Sequence, residues 1–486
     1  MKVYLYIFIL LSQVLTACNS KPETYMQVSQ QPVLFPDYTG IIIPCNVAPM
    51  NFQLQDSLAT ACFVLIEGYD CYSFSSSSTS MKFPAKEWKA MLNAEKGNTL
   101  RVSIHAKRKH ENVVYERFTW TVASEPIDRY LSYRLIEPAY EVWNRIQICE
   151  RDIESFDERI LGDNNITENA CMNCHTANRG EVQTTFMHVR GARGGTIYAD
   201  ANGMRKINTK TAQTTGPAVY GELSSDGRYG IFTTAEIIPS LHSLRGKRLE
   251  VYDKYSDLIL IDFERGTVSD NPAVSGESYQ ETFPCFSADN QTIYFCRAKY
   301  LSQPDSTMQM HYDLYSVAFN PETGVLGDSV HKVFDAAAQG KSVSFPKCSP
   351  DGKYLLFAVS DYGTFPIWHP ETDLWMLNLC DNTLNKLPLT NSYFSDSYHS
   401  WSSNSRWFVF ASKRSDGLYG RPYFAYVDDK GNASKAFVLP QKDPECYRKS
   451  LKSYNIPEVY KYKEKYDAHK MEKIYFEKET EQFIYE

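Results

Sequence analysis

A ten-residue pattern that occurs four times in the second half of the chain constrains its fold more than any other feature. The third copy, Cys348–Phe357, reads CSPDGKYLLF, and an apolar run follows a short Asp-Gly turn. Apolar strands on both sides of such a turn are typical of a β-hairpin. The other three copies are Leu223–Phe232, Phe286–Phe295 and Trp401–Phe410.

A second strand pattern follows each copy, so that every unit contains two strand pairs. Two pairs make the four strands of a β-propeller blade. The second patterns are Asp257–Ile261, Asp313–Val317, Asp373–Leu377 and Pro422–Tyr426. Residues 195–207 are predicted to be the second half of an earlier blade. We therefore expect five or six blades over residues 183–440, with long loops inserted and a closing blade shared between distant segments.

The Ser349-Pro350-Asp351-Gly352 core of the third copy resembles the repeat of the TolB-type β-propeller family. The resemblance covers about residues 185–440. Copies two and four differ from it, with Ala288 and Ser403 at the Pro position and Asn290 and Ser405 at the Gly position. It implies a propeller that serves as a protein-binding platform, although a shared fold does not transfer chemistry.

The segment Cys171-Met172-Asn173-Cys174-His175 has the spacing of a c-type haem attachment site. In such a site both thiols bond to the haem vinyl groups and the His is an axial iron ligand. Random placement of 12 Cys and 10 His in 486 residues would give roughly 0.006 such strings. The sequence therefore predicts one covalent haem c held by Cys171, Cys174 and His175.

Three other interpretations of this motif were weighed. A dithiol redox pair is expected after a strand, but residues 162–170 form a polar stretch. Half of a zinc site would need a second C-x-x-C or H-x3-H cluster, and the sequence has none. A structural disulfide across two residues would be strained. Haem attachment is the interpretation that these patterns favour.

The second axial ligand of such a haem is predicted to be His188, on a strand pattern that places His188 and Arg190 on one face. A structural strand histidine is the alternative for His188, and Met187, Met204 and His399 are further ligand candidates. Arg190 and Arg193 are interpreted as contacts to the haem propionates, with a simple turn as the alternative.

The N-terminus indicates export and lipid attachment. Lys2 precedes an apolar run from Val3 to Leu11, and Leu15-Thr16-Ala17-Cys18 resembles a bacterial lipobox. We predict a signal peptide at 1–17, lipidation of Cys18 and a tether at 18–29; an ordinary signal peptide is the alternative. The protein is then membrane-anchored in the cell envelope, on its periplasmic or surface face.

The remaining segments complete an all-β prediction. Residues 30–125 are predicted to form an antiparallel β-sandwich, because several runs alternate with a period of two. Residues 126–182 are interpreted as a short helical linker with the haem loop, since Ile153, Phe156, Ile160 and Leu161 have helical spacing. Residues 441–486 are expected to be a charged C-terminal extension. A net charge of −7 with mixed signs indicates no nucleic-acid partner.

These patterns favour a monohaem electron-transfer lipoprotein whose propeller docks a protein redox partner. The domain order resembles a group of bacterial haem-bearing TolB-like lipoproteins. The alternative is an envelope scaffold that binds or assembles proteins, with a structural haem or none. A haem enzyme ranks last because the sequence has a single C-x-x-C-H. No catalytic residues are predicted, because no nucleophile elbow, H-E-x-x-H or P-loop occurs.

Overall fold

The structure, a computed structural model, describes residues 25–137, 144–178, 184–241, 249–301 and 307–486. In these ranges the chain is almost entirely β, with 36 strands and three short α-helices. None of the helices within these ranges has the length and apolar character needed to cross a bilayer. The predicted signal peptide and Cys18 lie outside the described residues.

Ten strands and one helix form the N-terminal domain. The helix is α1 (Ala85–Ala94). The strands are β1 (Tyr25–Gln27), β2 (Leu34–Phe35), β3 (Ile41–Ile43), β4 (Phe52–Leu54), β5 (Ala59–Glu67), β6 (Cys71–Ser76), β7 (Ser80–Met81), β8 (Thr99–Arg108), β9 (Asn112–Val114) and β10 (Phe118–Val122).

These strands form a seven-stranded sheet and a three-stranded sheet of order β2-β4-β7. The large sheet is mixed, because β1 pairs parallel with β9 and β10 pairs parallel with β3. The prediction of a wholly antiparallel sandwich is therefore wrong in this detail. Helix α1 was not predicted; its buried face is Trp88, Met91 and Leu92, and Trp88 Nε1 donates to the Val47 carbonyl over 3.0 Å.

Residues 130–438 supply twenty-three strands, grouped below by sheet. They are β11 (Tyr130–Ile136), β12 (Ile146–Asp152) and β13 (Glu158–Asp163); β14 (Met172–Ala177), β15 (Thr185–Val189), β16 (Gly195–Asp200) and β17 (Gly203–Asn208); β18 (Ala218–Leu223), β19 (Tyr229–Leu241), β20 (Leu249–Asp262) and β21 (Thr267–Ser269); β22 (Tyr279–Phe286), β23 (Thr292–Lys299), β24 (Asp313–Asn320) and β25 (Val325–Phe334); β26 (Ser342–Cys348), β27 (Tyr354–Ser360), β28 (Asp373–Asn378) and β29 (Leu384–Asn385); β30 (Asp396–Trp401), β31 (Trp407–Ser412), β32 (Arg421–Tyr426) and β33 (Phe437–Val438).

The C-terminal residues belong to these sheets rather than forming a separate charged extension. They contain α2 (Cys446–Lys449), β34 (Ser453–Tyr460), α3 (Ala468–Phe476), β35 (Glu481–Gln482) and β36 (Ile484–Tyr485). Strand β34 pairs antiparallel with β11 and completes the first sheet, in the order β13-β12-β11-β34. Strands β35 and β36 add to the outer edges of the second and third sheets.

The six sheets form a propeller-like ring. The inner strands are β34, β14, β18, β22, β26 and β30, and each contacts the inner strand of the next sheet, with β34 between β30 and β14. The sheet shared between residues 130–163 and 453–460 closes the ring.

The predicted helical linker at 126–182 is wrong. Residues 130–163 form three strands instead. Ile153 and Phe156, two of the residues with helical spacing, lie in the turn between β12 and β13. Glu150 and Arg159 stand opposite each other across this hairpin and form an ion pair of 2.6 Å. This cross-strand pair shows that the segment forms a hairpin and not a helix.

Local turn chemistry explains the four repeated patterns. Each pattern joins an inner strand to the next strand of its sheet. In the third copy, Asp351 Oδ1 accepts from Ser349 Oγ at 2.6 Å and from the Lys353 amide at 3.2 Å. Gly352 has a φ of 73°, and Asn290 and Ser405 at the same position have 57° and 61°. The position needs left-handed backbone, which Gly adopts at no steric cost.

Candidate functional site at the centre of the ring

Each of the six inner strands has one non-glycine residue with positive φ, and we call these six residues the axial ring. All six lie at breaks in the register between the inner strand and its neighbour. All six line one cavity at the centre of the sheets. Their φ angles are 53° at Cys174, 44° at Tyr220, 52° at Phe283, 54° at Phe345, 50° at Tyr398 and 33° at Ile456.

The C-x-x-C-H segment contributes to this ring from strand β14, where a loop was expected. Cys174 is the ring member of the second sheet and is buried. Cys171 stands just before the strand and packs against a different apolar cluster, which includes Met172 and Ile146. The two thiols therefore lie in different surroundings. All eleven described cysteines, these two included, are free.

One side of the axial ring faces a small cavity of about 60 Å³. His175 and His399, which are far apart in the sequence, both line it, together with Lys347 and Glu458. His399 Nε2 lies 2.9 Å from the Leu356 carbonyl oxygen. The ring therefore brings together two of the histidines that the sequence analysis proposed as ligands.

His175 is enclosed and electrically neutral. Burial, together with the charge of Arg134, lowers its pKa to about 3, although a hydrogen bond with the Ile456 backbone acts in the opposite direction. Its Nε2 atom is buried and has no hydrogen-bond partner among the described residues. An unpartnered neutral imidazole nitrogen is the form that binds a metal ion.

Part of the axial ring also lines a second cavity of about 200 Å³, which we call the cationic cavity. Arg134, Arg190 and Lys413 line it, and aromatic side chains such as Phe365 and Trp368 form much of its wall. Four ring residues line both cavities: Tyr220, Phe345, Tyr398 and Ile456. The two cavities therefore adjoin at these four residues of the axial ring.

The remaining predicted haem contacts are not brought to His175. His188 is buried in β15, with Nδ1 3.3 Å from Thr196 Oγ1, and it lines neither cavity. Burial and the charge of Arg190 lower its pKa to about 4. Met187 and Met204 pack in the same apolar cluster as Cys171. Arg193 is exposed and pairs with Glu168 at 3.4 Å.

The residues at the motif do not fit a porphyrin bonded to both thiols in this arrangement. His175 Nε2 is suited to bind iron, but the cavity beside it, about 60 Å³, is too small to enclose a porphyrin. Cys171 lines neither of the two cavities. In the described ranges, no group of three or more His, Cys, Asp or Glu side chains is arranged to hold a metal ion.

The sequence analysis missed most of the axial ring, although a signal for it exists. Tyr220, Phe283, Phe345 and Tyr398 each stand six positions before the Asp or Asn of a repeated pattern, at 226, 289, 351 and 404. An aromatic residue at a constant distance from a turn indicates a repeated structural role. Arg134 in β11 and Lys413, just after β31, carried no such signal, because the sequences around them do not match each other.

Comparisons with known proteins show low similarity. No protein-family model and no curated protein matches the chain. Among solved structures, an oligogalacturonate lyase in complex with manganese is 10% identical with a TM-score of 0.32, over 64% of this chain and 85% of that one. A DUF4784 family protein from Bacteroides caccae is 8% identical, TM-score 0.31, over 75% and 97%. Dipeptidyl peptidase 4 from Porphyromonas gingivalis is 7% identical, TM-score 0.29, over 84% and 62%.

Proposed function

We propose that the protein is a lipid-anchored binding protein of the cell envelope, built on a six-bladed β-propeller that takes a small ligand at its axis. The observation that carries this proposal is the convergence of six inner strands on two cavities, one of them lined by three cationic side chains. This proposal keeps the scaffold alternative from the sequence and specifies where it binds.

The cationic cavity has the composition of a ligand site. Small-molecule sites are concave and mostly apolar, with a few polar groups that orient the ligand. Phe365, Ile367 and Trp368 supply an apolar wall, and Arg134 and Arg190 supply donors. The cavity lies at the centre of the ring, so that several sheets contribute to one site.

Binding at the axis is tested by thermal shift with a panel of neutral, cationic and anionic small molecules. Val251 lines the cationic cavity, and a Val251→Trp variant would fill it. At least one member of the panel should raise the melting temperature of the wild type and leave the variant unchanged. An unresponsive wild type, or equal shifts in both proteins, would overturn the proposal.

Anchoring is tested separately by a Cys18→Ser variant of the full chain. The lipobox pattern predicts that the wild type partitions into the membrane fraction and that the variant is released. Equal partition of both proteins would contradict lipid attachment at Cys18.

A monohaem electron carrier is the second candidate function, favoured by the C-x-x-C-H motif and by the unpartnered Nε2 of His175. Residues of the axial ring would have to move to admit a porphyrin. The test is co-expression with haem maturation factors, followed by an acid-acetone wash of denatured protein. Retained Soret absorbance and added porphyrin mass, lost in a Cys171→Ser, Cys174→Ser variant, would support this candidate. An unmodified mass would eliminate it.

A further inference from the structure

We infer that the cationic cavity binds a small organic acid, with the carboxylate held between Arg190 and Arg134 and the apolar part against the aromatic wall. This inference rests on the proposed function, because it names the class of ligand for the same site. It concerns a free ligand and is independent of haem.

The charge of the cavity is opposite to that of the whole protein. The chain has a net charge of −7, yet Arg134, Arg190 and Lys413 face the same cavity. The carboxylate that lines this cavity belongs to Glu137, and it is already engaged by Lys452 at 3.7 Å and by the Arg145 amide at 3.2 Å. Arg134 and Arg190 therefore give the cavity a positive charge that an anion would neutralise.

Arg190 is the side chain that most needs a ligand. Its backbone amide donates to the Cys171 carbonyl at 2.9 Å, which fixes the base of the residue. Its guanidinium is half-buried, and within the described residues it has no hydrogen-bond or ion-pair partner. A guanidinium presents five N–H donors in a planar fork that matches a carboxylate.

Among the described residues, the hydrogen-bond partners of the Arg134 guanidinium are neutral groups. It donates from Nη1 to the Met172 carbonyl at 3.3 Å and to Asn173 Oδ1. These bonds orient the guanidinium and leave its charge uncompensated. Asn455 stands opposite Arg134 across the β11–β34 pair and also lines the cavity. Its buried Oδ1 has no hydrogen-bond partner in the part of the chain that the structure describes.

The third cation and the aromatic wall define the remainder of the ligand. Lys413 is 3% exposed and its Nζ lies 2.9 Å from the centre of the Trp368 ring, a cation–π contact that keeps the charge inside the cavity. Phe365, Ile367 and Tyr398 complete an apolar surface. About 200 Å³ suits a compact acid with one ring or a short chain rather than a polymer.

The experiment is isothermal titration calorimetry with phenylacetate, benzoate and succinate as carboxylate probes, and with phenylacetamide and inorganic phosphate for comparison. The wild type is compared with Arg190→Gln. Arg117→Gln is the control variant, because Arg117 is an exposed residue of the N-terminal domain. The Arg190 guanidinium has no hydrogen-bond or ion-pair partner among the described residues, so Arg190→Gln is expected to keep the melting temperature of the wild type.

At least one carboxylate should bind the wild type, and its affinity should fall about tenfold or more in Arg190→Gln because a charge-assisted bidentate contact is lost. Arg117→Gln should bind as the wild type does. Three outcomes would overturn the inference that the ligand is an organic acid: equal affinity for phenylacetamide and phenylacetate, binding of phosphate alone, or unchanged affinity in Arg190→Gln. None of these outcomes would contradict binding of a small ligand at the axis. If no probe binds and no compound in the thermal-shift panel raises the melting temperature, both the organic-acid inference and the proposed binding function are overturned.

Discussion

The Tyr460 hydroxyl donates a hydrogen bond to Glu150 Oε2 over 2.9 Å, and this contact joins residues 310 positions apart. The same oxygen accepts from the Glu464 amide at 2.7 Å, and Oε1 accepts from Arg159 Nε at 2.6 Å. Glu150 therefore fastens the closing strand β34 and the segment after it to the first sheet.

Replacement of Glu150 by Ala should destabilise the ring strongly. Removing one partner of a buried ion pair costs about 3–5 kcal/mol, since the remaining groups lose their partner. Urea unfolding measures this loss. Glu236→Ala is the control, because the Glu236–Lys254 pair is exposed and such pairs contribute about 1 kcal/mol or less. Equal losses in the two variants would contradict the closing role of Glu150.

Replacement of Asp253 by Asn should stabilise the protein, and more so at higher pH. Burial raises the pKa of Asp253 to about 7, although a hydrogen bond from Thr282 acts in the opposite direction. In the unfolded chain the Asp253 carboxyl ionises near pH 4. Between pH 4 and 7 the folded protein therefore binds more protons than the unfolded chain, and its stability falls as the pH rises. The gain from Asp253→Asn, measured by urea unfolding, should be about 2 kcal/mol larger at pH 8 than at pH 5.

Asp361→Asn is the control for this measurement, because Asp361 is exposed. Its effect on the free energy of unfolding should be small and nearly the same at both pH values. A pH-independent effect of Asp253→Asn would contradict the raised pKa.

Acid should destabilise the protein through His175. Since its folded pKa of about 3 lies below the ordinary value near 6.5, the unfolded chain binds more protons in this window and stability falls as the pH drops. Between pH 7.5 and 4.5, His175→Gln should lose about 2–3 kcal/mol less stability than the wild type. His110→Gln, at an exposed position, should behave as the wild type. Parallel losses in all three proteins would contradict a buried neutral His175.

The cysteines should differ sharply in reactivity. Cys71 and Cys380 are exposed, whereas Cys174 is buried, and burial raises the pKa of its thiol. A thiolate is the reactive form, so maleimide should modify Cys71 and Cys380 in the native protein and Cys174 only after denaturation. Peptide mass spectrometry identifies the sites. Rapid native labelling of Cys174 would contradict its place in the axial ring.

The fold was predictable where the sequence repeats a local turn motif. The Ser349–Asp351 turn is encoded within a few residues, so the hairpins and the propeller-like arrangement follow from it. The first sheet was not predictable in the same way, because β34 pairs with β11 across more than 300 positions and its sequence resembles no repeated pattern. Strands β12 and β13 were not recognised in the sequence because they contain charged residues such as Glu150 and Arg159.

The candidate site was predictable only in part. The C-x-x-C-H motif directed attention to Cys174 and His175, which do lie at the centre of the ring. The cationic cavity depends on Arg134, Arg190 and Lys413, which come from three different sheets. These three residues come together only when the sheets are arranged around an axis, and for that reason no local sequence pattern predicts the cavity.

The N-terminal domain shares one continuous apolar cluster with the first, fifth and sixth sheets, and this cluster extends from Leu34 to Val459. Tyr38 donates to the Val438 carbonyl at 3.3 Å, and Trp407 Nε1 donates to the Glu125 carbonyl at 2.9 Å. Mechanical load applied near residue 25 is therefore transmitted into the ring instead of being absorbed at a joint.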